Sequence, residues 1–228
     1  PAPGSDQEAG DSRTEGEDYS GTNNQEDGVD EADFVKTDGY HTYVLNGNRL
    51  HIFGIPEFGD LEPESVTEIE GMPRQIAINA DATRAVVVSM MYPRTLPEGH
   101  PLFEILGEPM DFGGWMWRVN NLSKMTVIDI SDHSDPKLVR EVFVEGHYQT
   151  ARMVNGSVRV GSHAAIDVPG HYGWDWYWGD EQTLEQARDA AIVAINNAEL
   201  GDMVPRIHER LPSGDLTTHA LTSKACKG

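Results

Sequence analysis

The chain has 228 residues, a length that fits one domain or a large part of one. It carries 38 acidic against 17 basic side chains, and its formal net charge of −21 argues against nucleic acid as a partner. No apolar run approaches the ~18 residues of a membrane-spanning helix, so no transmembrane segment is predicted. Because Cys226 is the only cysteine, an internal disulfide and a thiolate zinc cluster are both excluded.

The first 28 residues differ in composition from the rest of the chain. Residues 1–28 consist mainly of Gly, Ser, Asp, Glu, Asn and Gln, with few apolar side chains. Such a segment cannot bury enough apolar surface to fold, which predicts an acidic, disordered leader. Order is expected to begin near Val29. Because the chain starts with Pro1 instead of Met, we also expect that an upstream segment has been removed.

Strand–turn–strand units are predicted in residues 37–53, 74–90 and 148–163. Asn46-Gly47 and Asn155-Gly156 stand between alternating apolar runs, and both residue types tolerate the positive φ of a type I′ turn. The second unit turns at residues 79–83. Together with runs at residues 66–69, 125–130 and 137–146, these units predict about nine or ten strands and no helix before residue 180.

Three segments interrupt the strand pattern. Residues 91–122, rich in Pro, Gly and aromatic side chains, are predicted to be an irregular insertion. Residues 180–201 are the one long helix, which Asp180 or Thr183 can cap and Gly201 can end. Residues 202–228 show no clear period and are predicted to be an irregular return segment, cut off within a domain.

Two stretches resemble a known family. Residues 22–53 resemble the opening of the secreted bacterial and archaeal β-propeller domain family, distant relatives of WD-type repeats, whose signature is approximately TN-x-Q-x-x-GVDE-x-D-x-VKTDG. The matching residues are Thr22, Asn23, Gln25, Gly28, Val29, Asp30, Glu31, Asp33, Val35, Lys36, Thr37, Asp38 and Gly39. Residues 126–156 are similar to the family's V-x-D-[IV]-SD-x-x-x-P-x-LV segment and the strands after it.

The resemblance implies an all-β fold, a partial β-propeller of four-stranded antiparallel blades with one helical insertion near the C-terminus. A ring of four blades needs roughly sixteen strands, so we expect the N-terminal part of a larger protein. The predicted divisions are the leader 1–28, blades 29–168 with the insertion 91–122, an aromatic loop and helix 169–201, and the return segment 202–228. Strand repetition alone leaves a β-sandwich open.

The resemblance also implies a secreted or cell-envelope location, which is compatible with a lipid anchor upstream of residue 1. The family has no established reaction, so a binding or scaffolding role is expected, with a protein or a glycan at the cell surface as partner. A metal-dependent hydrolase remains an alternative, and a carbohydrate-binding module is a second one. Function would lie on the inserted loops because loops carry the variable sites of a rigid fold.

Clustered carboxylates provide the first candidate site. Asp27, Asp30, Glu31, Asp33 and Asp38 could supply the oxygen ligands that calcium requires, although their spacing fits no EF-hand loop. In the alternative interpretation these acids cap turns and pair with basic side chains. Asp129, Asp132 and Asp135 also offer carboxylates, but this pattern before Pro136 favours side chains that bond the backbone of a turn.

The remaining candidates are aromatic and basic. Trp174, Trp176 and Trp178 recur at period two, so an extended backbone would place the indoles on one face, as a stacking surface for a sugar or as cover for the helix. His147 and His163 are expected to meet across a hairpin, without the further ligands of a zinc site. No nucleophile motif is present, so no catalytic residue is predicted.

Overall fold

The structure, a computed structural model, describes residues 13–14, 17–19, 29–31, 33–106, 119–164 and 181–222. The strands are β1 Val29–Glu31, β2 Val35–Thr37, β3 His41–Asn46, β4 Arg49–Gly54, β5 Glu62–Glu68, β6 Met72–Ile78, β7 Arg84–Met91, β8 Leu122–Asp129, β9 Lys137–Glu145, β10 His147–Val154, β11 Ser157–His163, β12 Arg206–Arg210 and β13 Leu216–Ala220. The helices are α1 Leu102–Leu106, α2 Glu181–Asn197 and α3 Leu200–Met203.

All pairings between these strands are antiparallel, and they form three sheets. Sheet 1 is the meander β2-β3-β4-β5. Sheet 2 contains the meander β6-β7-β8-β9, and β12 and β13 extend it beyond β9 to six strands. Sheet 3 has the order β1-β10-β11. The strand-rich prediction is thereby confirmed, and the three sheets do not close into a ring within the described residues.

The turn chemistry matches the sequence at one hairpin and differs at another. Asn155 and Gly156 have φ values of +49° and +75°, the signs expected of a type I′ turn. In the first hairpin Asn46 pairs with Arg49, so the turn residues are Gly47 and Asn48. Of these two turn residues, only Gly47 has a positive φ, at +61°. A positive φ at the first turn position and a negative φ at the second are the signs of a type II′ turn. The glycine therefore occupies the first turn position, and Asn46 belongs to the strand.

Residues 29–31 and 33–37 connect all three sheets, and we call them the crossing segment. β1 pairs with β10 in sheet 3, and β2 pairs with β3 in sheet 1. Between them, Asp33 forms a bridge to Ile76 of sheet 2, with N–H···O distances of 3.3 and 2.8 Å. Strands β10 and β6 are each the first strand of their meander, so one short segment aligns the sheets by backbone hydrogen bonds.

The main core lies between sheets 1 and 2. Successive side chains of a strand point to opposite faces of its sheet, so every second residue faces this core. The inward-facing side chains are Tyr43, Leu45, Leu50, Ile52, Ile69, Ile76, Ala85, Val87, Ile128 and Ile130. This packing, together with the crossing segment, fixes the turns of sheet 1 against those of sheet 2.

A second core corrects the prediction that no helix precedes residue 180. Pro93–Thr95 form a 3₁₀ turn and Leu102–Leu106 form α1 within the predicted irregular insertion. Leu102 is fully buried and packs with Leu122 and Phe143 of sheet 2. The apolar side chains of the insertion therefore cover sheet 2, and this tertiary contact stabilises a helix too short to stand alone.

The C-terminal part also differs from its prediction. Residues 206–220, expected to be irregular, form the hairpin β12–β13, which pairs with β9. Strand β9 supplies hydrogen-bond partners for the backbone of β12. The weak apolar periodicity of residues 206–220 did not indicate this pairing. The predicted long helix is confirmed as α2, although it ends at Asn197, and Leu184, Ile192 and Ile195 on it remain at least one third exposed. None of the helices in the described ranges is long and apolar enough to cross a membrane.

Removing β1 and the Asp33 bridge from the crossing segment should weaken the whole domain. We expect a chain that starts at Val35 to unfold at a lower temperature than a chain that starts at Val29, because only the first lacks β1 and the Asp33 bridge. The lost backbone hydrogen bonds should cost about 2 kcal/mol, or about 4–8 °C at this size. Calorimetry of the two chains measures the difference, and equal melting temperatures would contradict the role assigned to residues 29–34.

Candidate functional site

The candidate site begins at the turn between β2 and β3. Gly39 adopts a φ of +89°, a conformation that a side chain would strain, and this allows the chain to reverse between Asp38 and Tyr40. The Asp38 carboxylate accepts hydrogen bonds from the backbone N–H groups of Tyr40 and His41, at 2.8 and 2.6 Å. The turn therefore holds the Asp38 side chain beside the first residue of β3.

Four side chains meet at this turn. The Tyr43 hydroxyl donates to Asp38 Oδ2 at 2.8 Å and lies 2.8 Å from His133 Nε2. Since the hydroxyl proton is directed to Asp38, His133 Nε2–H donates to the Tyr43 oxygen. His41 Nδ1 lies 3.3 Å from Asp38 Oδ2, and the two imidazole rings stack with centroids 3.7 Å apart. Asp38, His41, Tyr43 and His133 are called the histidine cluster below.

The cluster joins two sheets across a groove. His133 belongs to the turn between β8 and β9 of sheet 2, and its carbonyl accepts a hydrogen bond from Ser65 Oγ of sheet 1 at 2.6 Å. Glu64 Oε1 lies 3.7 Å from His41 Nε2, in space that a Cβ atom on Gly54 would fill. The open groove has a volume of about 550 Å³ and is lined by His41, Glu64, Ser131, Asp132, His133 and Ser134.

Burial and charge shift the protonation of the cluster. Burial would raise the pKa of Asp38, but hydrogen bonds from Tyr43 and from two backbone N–H groups lower it below its usual value. Burial and the neighbouring Asp38 carboxylate raise the pKa of Tyr43. Burial and the charge of His41 lower the pKa of His133. The favoured state is an Asp38 carboxylate beside a neutral tyrosine and a neutral His133.

Of the five predicted calcium ligands, the structure places only Asp38 in a convergent set. Asp27 lies outside the described residues, and Asp30 and Glu31 lie in β1, where only the backbone is described. Asp33 is exposed, and its carboxylate accepts the N–H of Phe34 at 2.7 Å. Among the described residues, Asp38 groups with His41 and His133. The calcium site stays a prediction.

The other sequence candidates have simpler outcomes. Asp129 and Asp132 accept the backbone N–H of Ser131 and Ser134, both at 3.0 Å, which confirms the turn interpretation. His147 and His163 are register partners, as expected. The tryptophans Trp174, Trp176 and Trp178 and the single cysteine, Cys226, lie outside the described residues.

A second polar cluster, which we call the ion network, lies under the C-terminal hairpin. Fully buried Lys124 Nζ lies 2.7 Å from Glu70 Oε2 and 2.6 Å from Glu141 Oε1. Arg210 of β12 contacts the same two carboxylates at 2.8 and 2.5 Å. His100 Nε2 lies 3.0 Å from Glu70 Oε1. The network ties the insertion and the hairpin to the face of sheet 2.

The charges in the ion network compensate one another. Burial would raise the pKa values of Glu70 and Glu141, but hydrogen bonds and the positive charges of Lys124 and Arg210 lower both. Both cations also lie 5.3 Å from the centre of the Phe143 ring. Two carboxylates thus face two cations, with Lys124 and Glu141 buried and Glu70 and Arg210 partly exposed, and we assign the network to the attachment of the hairpin.

Two contacts of His208 bring together the types of group found in a catalytic triad, but here they join strands. His208 Nδ1 lies 2.9 Å from Thr218 Oγ1, and its Nε2 lies 3.2 Å from Glu145 Oε1. In the catalytic triad of a hydrolase, a hydroxyl, an imidazole and a carboxylate contact one another in this order. Here, however, Thr218 is the strand partner of His208 within a regular ladder. The contact therefore fastens β13, β12 and β9 to one another.

The convergence of His41 and His133 was missed in the sequence, although turn parity could have indicated it. In an antiparallel meander, alternate turns lie at the same end of the sheet. His41 follows the first turn of sheet 1, and His133 lies in the third turn of its meander. Turn counting places each histidine at the first-turn end of its own sheet, and only packing between the sheets brings these two ends together.

Three antiparallel sheets, linked through their first strands and carrying polar turns at one end, define a class of blade-built β proteins. The sequence model of the β-propeller domain family matches residues 19–225. This match covers most of the chain, which therefore belongs to the β-propeller domain family. No curated protein and no solved structure matches the chain significantly.

Replacing Tyr43 should disturb the histidine cluster without creating a large cavity. We expect Tyr43→Phe to lower the free energy of unfolding by about 1–2 kcal/mol, because Asp38 and His133 lose a hydrogen-bond partner. Tyr92→Phe, outside the cluster, is the matched control and should change little. Urea denaturation measures both, and equal effects would argue against a structural role for the Tyr43 hydroxyl.

Breaking the ion network should cost more than breaking a surface pair. We expect Glu141→Gln to lower the free energy of unfolding by about 3–5 kcal/mol, since it leaves Lys124 and Arg210 undercompensated in a buried setting. Glu209→Gln removes the exposed pair with Arg140 and should cost about 0–1 kcal/mol. Similar losses in both variants, measured by chemical denaturation, would show that the network is not effectively buried.

Proposed function

We propose that this protein is a secreted or cell-envelope β-propeller that serves as a binding and scaffolding module. The extracytoplasmic location is supported by the resemblance of residues 22–53 to the opening of a secreted family. The binding role is supported by the groove between sheets 1 and 2, which is the observation that carries the proposal. Rigid sheets position turns, and such turns commonly hold the binding residues of a fold.

The walls of the groove are held in place before any ligand arrives. Asp129 and Asp132 fix the β8–β9 turn through hydrogen bonds to the backbone, and Ser65 fastens the same turn to sheet 1. A pre-formed site lowers the entropy cost of binding, because its loops need not be ordered by the ligand. The polar and charged side chains in the lining suit a polar or cationic partner.

The contacts around the groove favour binding over nucleophilic catalysis. Ser65, the serine whose hydroxyl contacts His133, donates its proton to the backbone carbonyl of that residue and not to the imidazole. An activated serine would instead face a nitrogen that can accept the proton. The hydroxyl of Ser65 therefore acts as a positioning group for the turn.

The proposal predicts selective cross-linking at the groove in intact cells. A photoreactive residue at position 134, in the groove, should yield a discrete adduct, while the same residue at position 48, in the turn between β3 and β4, should not. External protease should degrade the full-length protein on intact cells. Equal cross-linking at both positions, no adduct at position 134, or a protease-resistant cytoplasmic pool would each overturn the proposal.

A further inference from the structure

We propose that Asp38, His41 and His133 form a binding site for a divalent transition metal ion, with Zn²⁺ as the test ion. Each residue offers one ligand atom, and these atoms lie within 4.8 Å of one another. The inference rests on the groove assigned above as the binding surface and names the ligand of that surface. This set of ligands shares only Asp38 with the acidic residues that the sequence suggested for calcium.

One pair of donor atoms already has the spacing of a tetrahedral site. Zinc bonds of 2.0–2.1 Å at tetrahedral angles place neighbouring donors about 3.3 Å apart. His41 Nδ1 and Asp38 Oδ2 already lie 3.3 Å from each other. The third donor, from His133, lies within 4.8 Å of the other two, and its ring has to rotate out of the stack on His41 for both imidazoles to bind one ion. Backbone capping of Asp38 and the Ser65 bond to the β8–β9 turn keep the ligands' main chains in position.

The types of donor indicate which ions fit. Two imidazoles and a carboxylate suit zinc, nickel or copper, because imidazole is a ligand of intermediate softness. Calcium needs six to eight oxygen atoms, and the histidine cluster with Glu64 offers too few. Glu64 Oε1 lies 3.7 Å from His41 Nε2, whereas Nδ1 is the nitrogen that faces Asp38, so Glu64 is not counted among the ligands. The Tyr43 hydroxyl donates to Asp38 and orients it as an outer partner.

The location of the site predicts what the ion would do. Asp38 and His41 come from sheet 1 and His133 from sheet 2, so a bound ion would join two neighbouring sheets. His41 and Asp38 are about one fifth exposed, and the groove leaves the ion a path from solvent. An ion that binds only when the sheets are docked stabilises the docked state by mass action.

The test uses the full chain, freed of metal with EDTA and titrated with Zn²⁺ by calorimetry. We expect one ion per chain, a rise in melting temperature that EDTA reverses, and a weaker response to Ca²⁺. His41→Gln in β3 of sheet 1 and His133→Gln in the β8–β9 turn of sheet 2 should each lower the zinc affinity by at least ~10-fold. His219→Gln, at an exposed histidine of β13, is the matched control and should leave it unchanged.

Spectroscopy and folding controls make the outcome decisive. Co²⁺ should give a visible absorption band in the wild type that His133→Gln abolishes, and the metal-free variants should retain the circular dichroism of the wild type. Unchanged zinc affinity in either folded cluster variant, an equal loss in His219→Gln, or preference for Ca²⁺ would overturn the proposal. Each of these results is obtained on the purified protein, so it can occur whether or not cross-linking in cells succeeds.

Discussion

The backbone hydrogen bonds of residues 29–31 and 33–37 are the constraint on which the arrangement of the sheets depends. Isolated antiparallel meanders have open edges and one apolar face each, so they are weakly stable alone and free to pair in several ways. Here the crossing segment pairs with β10 in sheet 3, forms a bridge to Ile76 in sheet 2 and continues as β2 into sheet 1. These backbone hydrogen bonds thereby align the three sheets with one another.

The histidine cluster exists because of that alignment. His41 and His133 are separated by more than 90 residues, and a small relative shift of the two sheets would separate their rings, whose centroids lie 3.7 Å apart. The core between sheets 1 and 2 and the hydrogen bond from Ser65 resist such a shift. On the same face of sheet 2, the ion network holds the hairpin β12–β13 by buried charges. Because buried charges must be paired, this attachment is specific in position.

The sequence was informative where a structure depends on neighbouring residues. Asn155-Gly156 specified its turn because only residues that tolerate positive φ fit both positions. Asp129 and Asp132 were interpreted as turn-forming for the same local reason. Errors arose where distant contacts decided the outcome. Helix α1 forms because Leu102 is buried against sheet 2, and strands β12 and β13 form because β9 offers them a partner.

The family and the all-β class could be recognised from the chain alone, since strand alternation, turn residues and the signature after Thr22 are local patterns. The candidate site could not be recognised from the chain alone. The sequence grouped Asp38 with acidic residues near it in the chain, whereas the structure also brings Asp38 to two histidines, one from β3 and one from the β8–β9 turn. Which polar side chains meet is set by the register between sheets, and that register is fixed by long-range backbone pairing and core packing.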